Sequence, residues 1–308
     1  MRSMITISGF LVLLLCITAA RPPAPLAGDK ADIRHSVIAG TWYPGDKHRL
    51  SSAIETYLAA SPAFPLGGTL RALIVPHAGY RYSGAVAARA YRQLKGSGFT
   101  RVILVGPSHY MAFDGVSINL QTAYDTPLGR VPVATDLARD ILASRPDFRW
   151  IRQAHAKEHA LEIQIPFLQT VLGHFKIVPI IMGRQDYTTA ERLARVLAAL
   201  VRGRRDTLLL ASSDLSHYHP AREAKVLDAC FAAHVLALDA KGLARDLAAG
   251  KTEACGGGPV VTIMIAAKLL GATKAVILDQ ANSGDVTGDQ SRVVGYLSAA
   301  LIAPITTK

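Results

Sequence analysis

Apolar residues recur along this chain in two rhythms. Short apolar runs, Ala72–Val75, Val102–Val105, Ile177–Met182 (interrupted only by Pro179) and Leu208–Ala211, are bounded by Pro, Gly or polar residues. They read as strands buried on both faces. Between them, apolar positions return every three or four residues, as at Leu50, Ile54 and Leu58. This spacing predicts amphipathic helices over 47–60, 84–94, 157–172, 190–202, 221–239 and 241–249. Thr135 and Thr188 read as helix caps, and Pro259 suits the first turn of a helix running to 270. Pro166 kinks the 157–172 segment or starts a second helix in it. A short strand and turn are expected over Val37–Gly45, and further strands over 274–279 and 292–302. Residues 115–120 and 130–133, around the turn at 124–129, read as a hairpin. Alternating strands and helices predict an α/β fold: one layered domain with a mixed, mostly parallel central sheet flanked by helices.

The strand exits carry the polar chemistry. Val75 is followed by Pro76-His77, Val105 by Gly106-Pro107-Ser108-His109, and Ala211 by Ser212-Ser213-Asp214-Leu215-Ser216-His217. Ligands of open α/β sheets bind beyond the carboxyl ends of strands. Three histidines delivered in matching positions therefore favour one shared site over three unrelated surface residues. Cys255, between Ala254 and three glycines, adds a thiol where backbone can approach closely. Imidazole, carboxylate and thiolate are groups that a transition metal accepts. Asp214 and His217 are three apart, so both could ligate, or Asp214 could orient His217 as an acid–base group.

A second constellation runs from His155 to Glu162, with His159 and Glu162 able to reach a site edge. An acidic helix start explains the same residues without function. Trp42 and Tyr43 line a pocket mouth or pack at the core edge. There is no GxSxG, no Walker loop and no dinucleotide fingerprint.

Charge changes the picture little. The chain of 308 residues carries a formal net charge of +11, but its Lys and Arg are scattered and accompany no nucleic-acid-binding motif, so no nucleic-acid partner is expected. The N-terminus matters more. Arg2, the apolar stretch Met4–Thr18 and small residues at 18–20 read as a secretory signal. The expected organisation is a signal over 1–20, a Pro-rich flexible lead-in over 21–34 and the α/β domain over 35–303. The protein is expected to be exported, to the periplasm; anchoring in the membrane by an uncleaved N-terminal segment is the alternative. Whether Cys230 and Cys255 pair in that compartment is left open.

Taken in order, Ala39-Gly40-Thr41-Trp42-Tyr43-Pro44, Pro76-His77-Ala78-Gly79-Tyr80, Gly106-Pro107-Ser108-His109, Thr126-Pro127-Leu128-Gly129, Glu158-His159-Ala160-Leu161-Glu162, Ser212-Ser213-Asp214-Leu215-Ser216-His217-Tyr218, Cys255-Gly256 and Val294-Gly295-Tyr296 resemble the MEMO family. Its bacterial and archaeal members go by the name AmmeMemoRadiSam system protein B. The resemblance spans about 35–300, nearly the whole chain after the signal. It implies a fold similar to the class III extradiol dioxygenases, which are non-haem iron enzymes. Carried over residue by residue, it makes His77 and His109 imidazole ligands. Cys255 then stands where those enzymes have a carboxylate, and His217, beside Asp214, matches their acid–base histidine. The thiolate departs from the dioxygenase pattern and puts ring cleavage in doubt.

The resulting expectation is a metal-binding protein with an iron or copper site, redox-active or dioxygenase-like. Two alternatives stand beside it: a non-catalytic module holding a small molecule or peptide in the same cleft, and a metal-dependent hydrolase using Asp214 and His217.

Overall fold

The four apolar runs become neighbours at the centre of one sheet. The computed structural model describes residues 32–305. The segment read as a secretory signal lies outside the described residues, as does the lead-in up to residue 31. In chain order the strands are β1 (Ile33–Arg34), β2 (Thr69–Val75), β3 (Arg101–Pro107), β4 (Val116–Ile118), β5 (Ala123–Thr126), β6 (Gly129–Pro132), β7 (Phe148–Arg149), β8 (Lys176–Met182), β9 (Thr207–Ser212), β10 (His217–His219), β11 (Lys274–Asn282) and β12 (Val293–Ala303). The α-helices are α1 (Lys47–Ala59), α2 (Tyr80–Tyr91), α3 (Thr135–Ala143), α4 (Arg152–Ala156), α5 (Ile165–Leu172), α6 (Tyr187–Val201), α7 (Ala221–Leu236), α8 (Ala240–Ala248), α9 (Gly257–Leu269) and α10 (Gly284–Thr287).

The large sheet runs β10-β12-β2-β9-β3-β8-β4-β7, with β11 also on β12. Its core, β2-β9-β3-β8, is parallel. The flanking strands β12 and β4 run antiparallel to it. Every residue of β9 is buried, as is all of β3 and β8 beyond the first residue. That follows from their almost unbroken apolar sequence, because a parallel strand is covered on both faces. Helix α2 packs on β2, β11 and β12, while α9 packs on β2, β9 and β3 beneath α6 and α8. The result is the expected α/β domain with a mixed sheet flanked by helices. Among the described residues, no helix is long and apolar enough to cross a membrane.

Several elements differ from expectation, each for a physical reason. Residues 37–43 form turns with a single bridge, Ala39 to Tyr43, instead of a strand. Ile33 and Arg34, assigned by sequence to the lead-in, pair with β5 and belong to the folded unit. The hairpin is β5–β6; residues 116–118 join the main sheet beside β8. In place of the helix expected over 157–172 there is a bend at 157–160, a 3-10 turn at Glu162–Gln164 and the shorter α5, with Pro166 in its first turn; α4 ends just before, at Ala156. At the break, Arg34 donates to the carbonyls of both His155 and Glu158, at 2.9 and 2.7 Å. Those carbonyls are thereby withdrawn from a continuing helical ladder. Asp186, not Thr188, caps α6, accepting from the Thr189 amide at 2.8 Å; Thr135 is the first residue of α3 rather than its cap.

Candidate metal centre

Strands β2, β9 and β3 end side by side, so His77, Asp214 and His109 leave the sheet from the same edge. Pro76 stops β2, and Pro107 is the last residue of β3. The fourth contributor comes from the far end of the chain. Cys255 sits just before α9, and its Sγ lies 3.0 Å from His77 Nε2. One glycine makes that approach work. A Cβ at Gly256 would collide with the Ser212 carbonyl oxygen and lie 2.7 Å from Ser213 Cβ. Without it, the loop settles on the exit of β9, where the Gly256 amide donates to Ser213 Oγ at 3.0 Å. Gln185 holds the other side. It donates to the Cys255 carbonyl at 2.8 Å and accepts from the Gly258 amide at 2.9 Å.

Hydrogen bonds decide which nitrogen each histidine presents. Ser212 Oγ gives its single proton to the Ala160 carbonyl at 2.6 Å and accepts from Gln164 Nε2 at 2.7 Å. Towards His77 Nδ1, 3.0 Å away, it is left only to accept. His77 thus carries its proton on Nδ1 and turns a lone pair on Nε2 towards Cys255. Glu158 does the same for His109: its Oε1 accepts from Nδ1 at 2.8 Å, and its Oε2 from the His109 amide at 2.7 Å. His217 Nδ1 donates to the Leu215 carbonyl at 2.7 Å. All three rings therefore keep Nε2 as the atom with a free lone pair.

The electrostatics agree with neutral imidazoles at the base of the site. Burial, reinforced by His109, presses the pKa of His77 down to about 3. Burial and His77 do the same to His159, to about 3. Burial alone would raise the Glu158 carboxyl, but hydrogen bonds from the His109 ring and amide and from the Ala160 amide outweigh it and hold the group at about 2. Burial raises Asp214 to about 6, against the His77 and Ala78 amides that hydrogen-bond its carboxylate. Burial also pushes the Cys255 thiol well above its usual range. The S–H proton then has an acceptor in His77 Nε2.

Ligand atoms of His77, His109 and Cys255 all lie within 4.8 Å of one another. Two imidazole lone pairs and a sulfur converging in this way fit a small transition-metal ion, which would replace the thiol proton. Above them opens a cleft of about 730 Å³, lined by His77, His109, His159, Asp214 and His217 and walled by Trp42, Tyr82, Tyr218, Tyr296 and Arg292. His159 is sandwiched there, its ring 4.2 Å from Trp42 and 4.4 Å from His109 by centroids.

Three sequence expectations change. Tyr43 does not line the cleft; it is buried, and its hydroxyl donates to Glu162 Oε1 at 2.8 Å. Glu162 is not at a site edge but fully buried, 2.5 Å from Arg34, with Ser36 and the Val37 amide also donating to it. Its work is to fold the 34–43 segment that carries Trp42. Asp214 does not orient His217: its Oδ1 accepts from the His77 amide at 2.6 Å and the Ala78 amide at 3.2 Å, and so fixes the backbone of the first histidine. Cys230 and Cys255 are both free. Sequence reasoning missed Glu158, Ser212 and Gln164 as the groups that set the tautomers. Glu158 and Ser212 lay inside quoted motifs; Gln164 carried no local signal.

The model of the Memo-like protein family matches residues 34–300. The chain belongs to the Memo family. A MEMO1 family protein of Sulfolobus acidocaldarius is 41% identical over 280 residues, covering 86% of this chain and 98% of that protein. One from Methanothermobacter thermautotrophicus is 36% identical over 272 residues, with the same coverage. One from Aquifex aeolicus is 36% identical over 269 residues. A crystal structure of an uncharacterized protein, JW3007 of Escherichia coli K12, covers 75% of this chain and 99% of its own with a TM-score of 0.50. At 14% identity it speaks for the fold of this Memo chain alone.

Proposed function

We propose that this Memo-family protein binds one iron or copper ion through His77 Nε2, His109 Nε2 and Cys255 Sγ and serves redox chemistry on a small molecule held in the cleft. The observation that carries the reading is the convergence of two lone pairs, each fixed by a hydrogen bond on the opposite ring nitrogen. Metal-bound imidazoles almost always have such a bond on the far nitrogen. Bound there, the ion would supply an open coordination position towards the cleft and one-electron chemistry with dioxygen, tuned by a soft thiolate.

The chain's own residues have separable tasks. Glu158 and Ser212 hold the ligand rings. Asp214 holds the backbone of His77. His217, with Nδ1–H tied to Leu215, offers Nε2 as acceptor for a proton from a substrate hydroxyl. Trp42 and His159 pack one wall and exclude water from the ligand side.

A second reading rests on the rim. Tyr218 and Tyr82 are exposed, and the Arg292 guanidinium lies 5.3 Å from the Tyr218 ring centroid. Such a rim suits capture of a peptide or small molecule with no reaction following. The hydrolase reading loses its main support, because Asp214 does not pair with His217.

Elemental analysis of protein purified without chelator or affinity-column metal separates these readings. About one iron or copper per chain is expected, absent from folded His77→Ala and Cys255→Ala variants. Metal retained by both variants would exclude this ligand set. Metal-free wild type that still binds ligand saturably would move the function to the binding module.

A further inference from the structure

Away from the cleft, the α7–α8 hairpin assembles a second set of metal-binding groups. Cys230 and His234 are one helical turn apart on α7 and so share a face. The chain then turns sharply at Leu238, which takes a left-handed φ of 51°, and α8 folds back against α7. This return brings Asp246 onto the same face. The ligand atoms of Cys230, His234 and Asp246 all lie within 4.8 Å of one another.

The surroundings of the trio are shaped for coordination. Asp246 Oδ2 lies 2.9 Å from His234 Nε2, while its Oδ1 is taken by Arg245 Nε at 3.0 Å. The other face of the ring is backed by a carboxylate too: Asp239 Oδ2 is 3.3 Å from His234 Nδ1. Asp239 is itself anchored, its Oδ1 accepting from the Gly242 amide at 2.9 Å as the cap of α8. Gly242 has no room for a side chain: a Cβ there would run into Asp239 and lie 2.8 Å from His234 Cε1. A carboxylate on the far nitrogen of a ligating histidine is the usual outer support of a zinc site.

We propose that Cys230 Sγ, His234 Nε2 and Asp246 Oδ2 form a zinc site, distinct from the cleft, that clasps α7 to α8. Sulfur, nitrogen and oxygen donors together suit Zn²⁺, with water as fourth ligand. On binding, the ion takes the place of the Cys230 thiol proton, which is released to solvent, and the neutral His234 ring presents the lone pair of Nε2. Asp239 keeps the His234 Nδ1 proton and acts as a positioning residue.

The test uses the full chain as Cys16→Ser/Cys255→Ser, which leaves Cys230 as the only cysteine, titrated with cobalt(II) chloride. A sulfur-to-cobalt charge-transfer band saturating at one equivalent and displaced by zinc chloride is expected. His234→Ala or Asp246→Ala in that background should weaken cobalt binding at least ~10-fold, and Asp239→Asn about 10-fold. No band in the folded double-serine chain, or a band whose affinity ignores both His234→Ala and Asp246→Ala, overturns the proposal. If the double-serine chain does not fold, zinc stoichiometry is read in the natural chain instead. There His234→Ala must remove one equivalent; unchanged stoichiometry overturns the site equally.

Discussion

Ser212 is a small residue with a large consequence, because its hydroxyl has one proton and three neighbours. With Ala160 taking the proton and Gln164 donating, His77 Nδ1 must donate as well. Ser212→Ala removes the acceptor that selects this tautomer. We expect metal affinity at the His77 site to fall about 10- to 100-fold, with about 1–3 kcal/mol lost from the buried groups left unpaired. A competition titration against a chromophoric chelator measures the first number, and unchanged affinity would remove the tautomer argument. His155 makes a different residue-scale prediction. It is fully buried, 3.0 Å from Ser117 Oγ, and burial, with help from Arg34, depresses its pKa to about 3. Unfolded, it titrates near its ordinary value of 6.5. Below that pH the unfolded chain gains a proton that the folded chain refuses. Stability is therefore complete above 6.5 and falls as the pH drops towards 3. Each pH unit in this window is worth about 1.4 kcal/mol. His155→Gln cannot take that proton. It should lower stability at neutral pH yet give a shallower acid decline, read from urea midpoints at about pH 7 and about pH 4.5. Parallel declines in variant and wild type would mean that His155 is not among the groups responsible.

The start of α9 is the element on which the site turns. Gly256 and Gly257 are adjacent but face different obstacles. A Cβ on Gly256 meets the backbone carbonyl of Ser212, which cannot move without disturbing β9. A Cβ on Gly257 lies 2.6 Å from the end of the Leu247 side chain, which can rotate away. Gly256→Ala should therefore push Cys255 off His77, losing bound metal and about 1–3 kcal/mol of stability. Gly257→Ala should keep the metal. Metal content and thermal unfolding of the two variants check this, and matching behaviour would refute the steric reading. At this scale one sees what the sequence could announce. Strands β2, β3, β8 and β9 were legible because a both-faces-buried strand writes itself as an almost unbroken apolar run. The histidines at two of their exits were legible because Pro76 and Pro107 mark where pairing stops. The bend at 157–160 was not, since it depends on Arg34, which lies more than a hundred residues earlier and reaches back to the His155 and Glu158 carbonyls. Tyr43 and Glu162 were misplaced for the same reason: their partners are each other, and no local period shows a pair 119 residues apart. Cys255 was legible as a candidate thiol from its Gly-rich surroundings, but only the family resemblance grouped it with His77 and His109, because its neighbour His77 is 178 residues away.

At the scale of the whole molecule, that separation becomes a property of folding. The ligand set needs β2 and β3 side by side across β9, and also α9 seated on all three. Strand β12, from the C-terminal end, must pair with β2 before Tyr296 can wall the cleft. No segment of the chain carries the three donors alone, so the unfolded chain offers no comparable site. A metal held there binds only the native state and stabilises it by mass action. At a free metal concentration about 100 times Kd, the gain is about 2.7 kcal/mol. For a domain of this size that corresponds to a rise in Tm of about 5 °C. Anaerobic iron(II) added to the wild-type chain should produce this rise, and Cys255→Ala should abolish most of it. Release of the metal, followed by chelator absorbance, should coincide with loss of the sheet, followed by far-ultraviolet circular dichroism. If the metal left in an earlier transition, the Cys255 loop would be a separate, weaker unit docked on a sheet that survives without it. Coincident transitions would mean that the sheet, the loop and the ligand set form one cooperative structure.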